Sequence, residues 1–154
     1  MELERSECLT LLAANELGRV VVTSPLTHTP VIRPVNYIFD TPTQSVIFRT
    51  AEGSKFTALV QAASACFEID GFDSYTRSVW SVIIVGVTAE VTRIAEVRRF
   101  EALGLEPWAS GDKPHWISIR ARTVSGRRII PAAEHPEALD DEYRRKPPPS
   151  APSL

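Results

Sequence analysis

The stretch Phe48 to Phe56, FRTAEGSKF, gathers two fixed cations, Arg49 and Lys55, and two hydroxyls, Thr50 and Ser54, around a single turn. Such a set suits an anion, and a phosphate is the simplest one. Arginine grips a phosphoryl group with a planar, two-pronged donor set, and lysine adds a compact point charge. If SVIFRT is a strand and a helix begins at Ser54, the free amides of the first helical turn and the positive end of its dipole face the same space. The same residues also allow a plainer reading, a surface turn with a capping serine and two solvated cations. Neither G-x-x-x-x-G-K-S/T nor G-x-G-x-x-G occurs, so no familiar nucleotide signature decides between the two.

Other chemistry is thinner. His28, His115 and His135 are widely separated, with no Cys, Asp or Glu at a ligand spacing, so no metal is expected. Cys8 and Cys66 stand alone and read as small core residues. No serine has a G-x-S-x-G context and no Cys–His–acid set can be assembled, which leaves hydrolase chemistry without support. Arg120 and Arg122 project to one strand face, where Arg127 could join them to receive an anionic substrate. The plainer alternative is a solvated basic face balanced by Glu68 and Asp70.

The elements that must position the FRTAEGSKF turn are mostly strands. An opening helix runs from a cap at Ser6 to about Asn15, with Gly18 available for a left-handed stop. After it the apolar period shifts towards two in RVVVTS, VIRPVNYIF, SVIFRT, ACFEID and SVWSVIIVGVTAEVTR. Helices are expected at about residues 54–61 and 95–103, and a late strand pair, HWISIRAR and VSGRRI, completes the sheet. Trp116, Ser118, Arg120 and Arg122 occupy the face of that sheet which is wet or lines a site. The short gaps suit antiparallel neighbours, since parallel strands need crossovers of about a dozen residues. A closed or half-closed barrel of five or more strands hides the edges.

Composition bounds the function. The 154 residues, 44% of them apolar, suffice for one domain with a proper core. We expect it to span residues 1–130, followed by a proline-rich tail, 131–154, too polar to fold. A net charge of −2 supplies no basic field for nucleic acid. The longest apolar run, Val79 to Ala89, is shorter than the roughly 20 residues of a membrane helix. MELERSECLT lacks the pattern of a secretory signal, and the isolated cysteines suit a reducing compartment, so a cytoplasmic location without membrane or nucleic-acid partners is expected.

Taken in order, LGRVVVTS, PVIRPVNYIFD, VIFRTAEGSKF, ACFEID, WSVIIVG and SGRRI resemble the pyridoxamine 5′-phosphate oxidase-like family of flavin-binding split barrels, over about Glu4 to Ile130. The resemblance implies a mainly β, six-stranded antiparallel split barrel of FMN-binding type. It also implies a homodimer holding FMN, or in relatives a deazaflavin, in clefts between two barrels. By matching position, Arg49, Thr50, Ser54 and Lys55 correspond to the phosphate cradle, and Pro34, Val35 and Asn36 to the strand beside the isoalloxazine ring. Trp80 and Ser81 correspond to the wall near the ring or to the dimer seam; for Trp80 the alternative is a buried aromatic between sheet and helix.

The implied activity is that of an oxidoreductase passing hydride or electrons from a reduced nicotinamide or deazaflavin to a small substrate. No catalytic side chain need be found, because the cofactor carries that chemistry. The alternative is a protein that binds or stores flavin, deazaflavin or haem without turnover, and a ligand-free dimerisation scaffold is a third reading. Two departures qualify the match. Val79 stands where the family often has glycine, and the chain ends in PEALDDEYRRKPPPSAPSL instead of a cationic substrate-holding segment, which speaks against pyridoxamine phosphate oxidation itself.

Overall fold

The computed structural model describes residues 1–24, 27–51, 53, 59 and 64–131. Six strands, β1 (Leu17–Thr23), β2 (Pro30–Asp40), β3 (Ser45–Thr50), β4 (Ala65–Asp73), β5 (Ser78–Glu90) and β6 (His115–Ile129), close a barrel in the order β1-β2-β3-β6-β5-β4. Every neighbouring pair is antiparallel. Closure leaves no free edge, which is how so small a sheet avoids pairing with other chains. The expected six-stranded antiparallel barrel is therefore the observed one.

Period-two alternation sorts the side chains. Val20, Val22, Val35, Tyr37, Val46, Phe48, Phe67, Ile69, Val82, Ile84, Ile117 and Ile119 all point inward and are buried together. Helix α1 (Arg5–Ala14) plugs one end through Cys8 and Leu12, and the Tyr37 hydroxyl donates to the Leu12 carbonyl at 2.8 Å. Burial raises the Tyr37 pKa and keeps the phenol neutral. On the outer face, α2 (Ile94–Glu101) packs Phe100 and Val97, three positions apart on one helical face, against Ile38, Ile47 and Trp116.

Several local expectations differ from what forms. The late strand pair is one strand of 15 residues. Val85 pairs with Thr123 and Gly86 with Ala121, so Arg122 is the extra residue of a β-bulge. The bulge shifts the alternation, which makes one strand look like two in sequence. The helix begins at Arg5 after Glu4, with no side-chain cap, and Ser6 lies inside its first turn. Gly18 does not stop the helix; it sits in β1, where an added Cβ would lie 2.2 Å from the Phe67 ring. The last turn is closed by Asn15, whose side-chain amide donates to the Leu11 carbonyl at 2.7 Å. Cys8 is buried, as expected, whereas Cys66 is only half-buried, on the outer side of β4. Of the 54–61 helix, only Leu59 is among the described residues, and it is buried; nearly all of the tail lies outside them.

One buried charge ties α2 to the barrel. The Asp40 carboxylate, 2% exposed, accepts from Arg99 Nη1 at 2.6 Å and Nη2 at 2.9 Å and from the Thr43 hydroxyl. The Arg99 hydrogen bonds hold the Asp40 carboxyl below the usual carboxylate range, with Thr43 assisting and burial opposing. A lowered folded-state pKa means this pair supports the fold fully at neutral pH. The support is lost as acid protonates first the unfolded chain's Asp and then the native one. In melts from about pH 7 down to about pH 3, we expect Asp40→Asn to start lower than wild type and decline less steeply. Parallel curves would refute the assignment.

Candidate functional site

Strand register brings together a row that the primary sequence scatters. Tyr37 pairs with Phe48, so Asn36 stands opposite Arg49, and Arg49 pairs directly with Trp116. Since Tyr37, Phe48 and Ile117 fill the interior, alternation forces Asn36, Arg49 and Trp116 to the outer face. The Arg49 guanidinium carbon lies 5.2 Å from the centroid of the Trp116 ring, a cation–π contact. Phe100 stacks on the same indole at 6.3 Å between centroids. Arg49 Nε donates to the Lys113 carbonyl at 2.9 Å, leaving both Nη groups without a partner among the described residues.

Asn36 is the second feature. Its Oδ1 accepts the Trp108 backbone N–H at 2.9 Å, while its Nδ2 is buried with no partner among the described residues. The Trp108 bond fixes which end of the amide is the oxygen, so the unpaired atom is a donor. Burying an unpaired donor costs about 1–3 kcal/mol. Structures tolerate such a group where something outside the chain accepts from it. A donor of this kind beside an aromatic-backed guanidinium suits a ligand with both an acceptor edge and an anionic group.

The loop over the row, residues 102–114, connects α2 to β6. Gly104 and Gly111 take left-handed φ values of 74° and 99° at its turns. Lys113 Nζ clasps the loop by donating to the Ala109 and Ser110 carbonyls.

The remaining sequence-derived candidates divide. Thr50 shares the strand end with Arg49 but faces the barrel interior, buried, and its hydroxyl donates to the Ala51 carbonyl at 3.3 Å. The two side chains thus diverge, because neighbours in a strand point to opposite faces. Ser54 and Lys55 lie outside the described residues. Pro34 is exposed on the same face as Asn36, while Val35 points inward and offers a site only its backbone.

Trp80 is half-buried on the inner side against the core, its ring so close to Gly71 that a Cβ there would lie 2.4 Å from it. Ser81 faces outward on β5 beside Val79. Val91, bonded to the Trp116 carbonyl at 2.8 Å, follows the far end of β5, about 35 Å along the strand from Trp80. Within one chain, Trp80 and Ser81 therefore do not join the row.

Charges elsewhere are arranged differently from the sequence-based reading. Glu68 and Asp70 pair with Arg19 at 3.1 and 2.5 Å across β1 and β4, not with the arginines of β6. Burial, with Asp70 nearby, raises the Glu68 pKa despite that partner. Arg120 lies in a separate groove of about 290 Å³ beside α2, lined also by Ser45, Ile47, Val87 and Phe100. His115 Nδ1 contacts the Glu90 carboxylate at 2.8 Å, and His28 occupies a turn with φ of 56°. Among the described residues, no group of three or more His, Cys, Asp and Glu could hold a metal, and no helix is long and apolar enough to cross a membrane.

Comparison with known proteins gives one consistent picture. Residues 4–128 match the pyridoxamine 5′-phosphate oxidase family. An uncharacterized protein of Mycobacterium tuberculosis is 33% identical over 141 residues, covering 88% of this chain and 90% of its own length. Among solved structures, the FAD binding protein from Mycobacterium smegmatis superposes with a TM-score of 0.72 at 33% identity, covering 86% of this chain and all of its own. A conserved protein of unknown function from Corynebacterium diphtheriae gives 0.68 at 31% identity, covering 85% and 98%. An FAD and heme binding protein from Mycobacterium smegmatis, at 14% identity and a TM-score of 0.64, covers 99% of this chain and 90% of its own and shares the fold.

Proposed function

Because the chain belongs to the pyridoxamine 5′-phosphate oxidase family, we propose that it is a flavoprotein oxidoreductase whose cofactor is FMN. The observation that supports this most is the outer row of Asn36, Arg49 and Trp116, with a buried donor awaiting an acceptor and a guanidinium whose terminal nitrogens are open among the described residues. Arg49 seats the phosphate, aided by the Thr50 strand end, Ser54 and Lys55. Asn36 donates to a ring carbonyl along the Pro34–Asn36 edge. When bound, a flavin supplies hydride and electron transfer, and the protein binds and orients it. A reduced nicotinamide is the donor and a small organic molecule the acceptor. A deazaflavin presents a phosphate as FMN does, and the likeness to an FAD binding protein makes FAD a further candidate.

Mass spectrometry of the small molecule released from the purified protein by heat is expected to give FMN. A deazaflavin or FAD would correct the cofactor, and a colourless protein that binds none of the three would overturn the reading. Oxidation of a reduced nicotinamide by the loaded protein, faster than by free flavin, separates an enzyme from a carrier.

Asn36→Asp provides a sharper test of the ring contact. It keeps an oxygen for the Trp108 N–H but replaces the unpaired donor with a carboxylate oxygen facing the ring carbonyl. FMN affinity is expected to fall about tenfold or more. Undiminished binding would remove Asn36 from the site.

A homodimer belongs to the same proposal. Val79, Ile83 and Val85 line the outer face of β5, exposed, with Phe72 and Ile129 beside Val79 on the flanking strands. A second copy would cover this ridge and bring Ser81 into the seam. Sedimentation at micromolar concentration should give the mass of two chains, and a monomer there would refute the pairing.

A further inference from the structure

We infer that the exposed indole of Trp108 is the surface on which the ligand's ring stacks, and that it sets the preference for ring-bearing over ring-free phosphates. This rests on the flavin reading above and assigns a residue that neither the chain's motifs nor its family match singles out. Trp108 is 69% exposed, a large aromatic left in water on an otherwise restrained loop. Its backbone N–H is held by Asn36 Oδ1 at 2.9 Å, and the other end of that amide is the buried, unpaired Nδ2. Any acceptor bonded to Nδ2 must therefore approach beside the Trp108 main chain.

The loop is placed by the same residues that form the site. Asn36 anchors it at Trp108 and Arg49 at Lys113, and Lys113 Nζ closes the segment between by bonding the Ala109 and Ser110 carbonyls. Trp116 is less available as a platform, because Arg49 and Phe100 already lie against it. Trp108 is thus an exposed aromatic whose main chain is bonded to the residue that carries the ring-edge donor, on a loop that Arg49 ties down at Lys113. Aromatic stacking depends on the ring's flat face and not on its hydrogen bonds.

The test titrates FMN and ribose 5-phosphate, the latter by competition, into wild type, Trp108→Leu and Trp108→Phe, with melting temperatures recorded for each. Trp108→Leu is expected to weaken FMN binding by about 5- to 100-fold, with ribose 5-phosphate competition and melting temperature unchanged. Trp108→Phe should restore most of the loss. Unchanged FMN affinity in Trp108→Leu, or a loss accompanied by a lower melting temperature and not restored by phenylalanine, overturns this inference and leaves the flavin reading standing. A wild-type protein that binds neither FMN nor FAD nor a deazaflavin removes both.

Discussion

Replacing Arg49 with methionine is expected to weaken FMN binding by about 10- to 100-fold, the magnitude of losing a hydrogen-bonded charge partner at a phosphate. Methionine keeps the length and apolar contact over Trp116 but removes every donor. Arg49→Lys should recover only part of the affinity. The compact ammonium lacks the planar fork that lies over the indole at 5.2 Å and reaches the Lys113 carbonyl through Nε. Affinities from flavin fluorescence titration, read beside the melting temperature of each variant, separate a lost ligand contact from a loosened loop. Equal affinities for the three proteins would remove Arg49 from the phosphate seat.

The largest effect on stability is expected at Phe67. Its ring is fully buried at the barrel centre, meets Tyr37 edge-on at 4.8 Å between centroids, and fills the space that Gly18 leaves open. Phe67→Ala is expected to cost about 3–5 kcal/mol, from lost transfer energy and the cavity left behind. Gly18→Ala alone should cost about 1–3 kcal/mol, because its Cβ would sit 2.2 Å from the ring. The two changes should not add. With the ring gone, the alanine methyl still meets the Glu68 carbonyl oxygen at 2.9 Å but no longer the ring, so the double variant should lie between Phe67→Ala alone and the sum of the two in chemical denaturation. Simple additivity would show that Gly18 and Phe67 do not share this space.

That pair also shows where sequence reasoning reached its limit. Gly18 follows a helical pattern, which suits a stop signal, yet its absent side chain answers a ring 49 positions away in sequence. The strands themselves were legible because the alternation of apolar residues reports directly which face is buried. It failed at Arg122, where the bulge resets the alternation without any turn residue, and in β3, where α2 buries the outer face as well.

The site was legible to a similar depth. Arg49 stood out for its charge beside a turn, and HWISIRAR put Trp116 on a face that could line a site. Their contact depends on the β3–β6 register, which local pattern does not encode. Thr50 looked like a partner of Arg49 because it is adjacent in sequence, but strand geometry turns it inward. Asn36 could be nominated only as one possible ring donor, since its unpaired amide becomes visible only once Trp108 is folded over it. Trp108 itself lies in a loop with no periodicity to read.

The central claim, that the end of β3 seats a flavin's phosphate, is tested most directly by a crystal structure of the protein with FMN. The phosphate is expected within hydrogen-bonding distance of the Arg49 guanidinium. A phosphate bound away from Arg49, or FMN absent at saturating concentration, would contradict it.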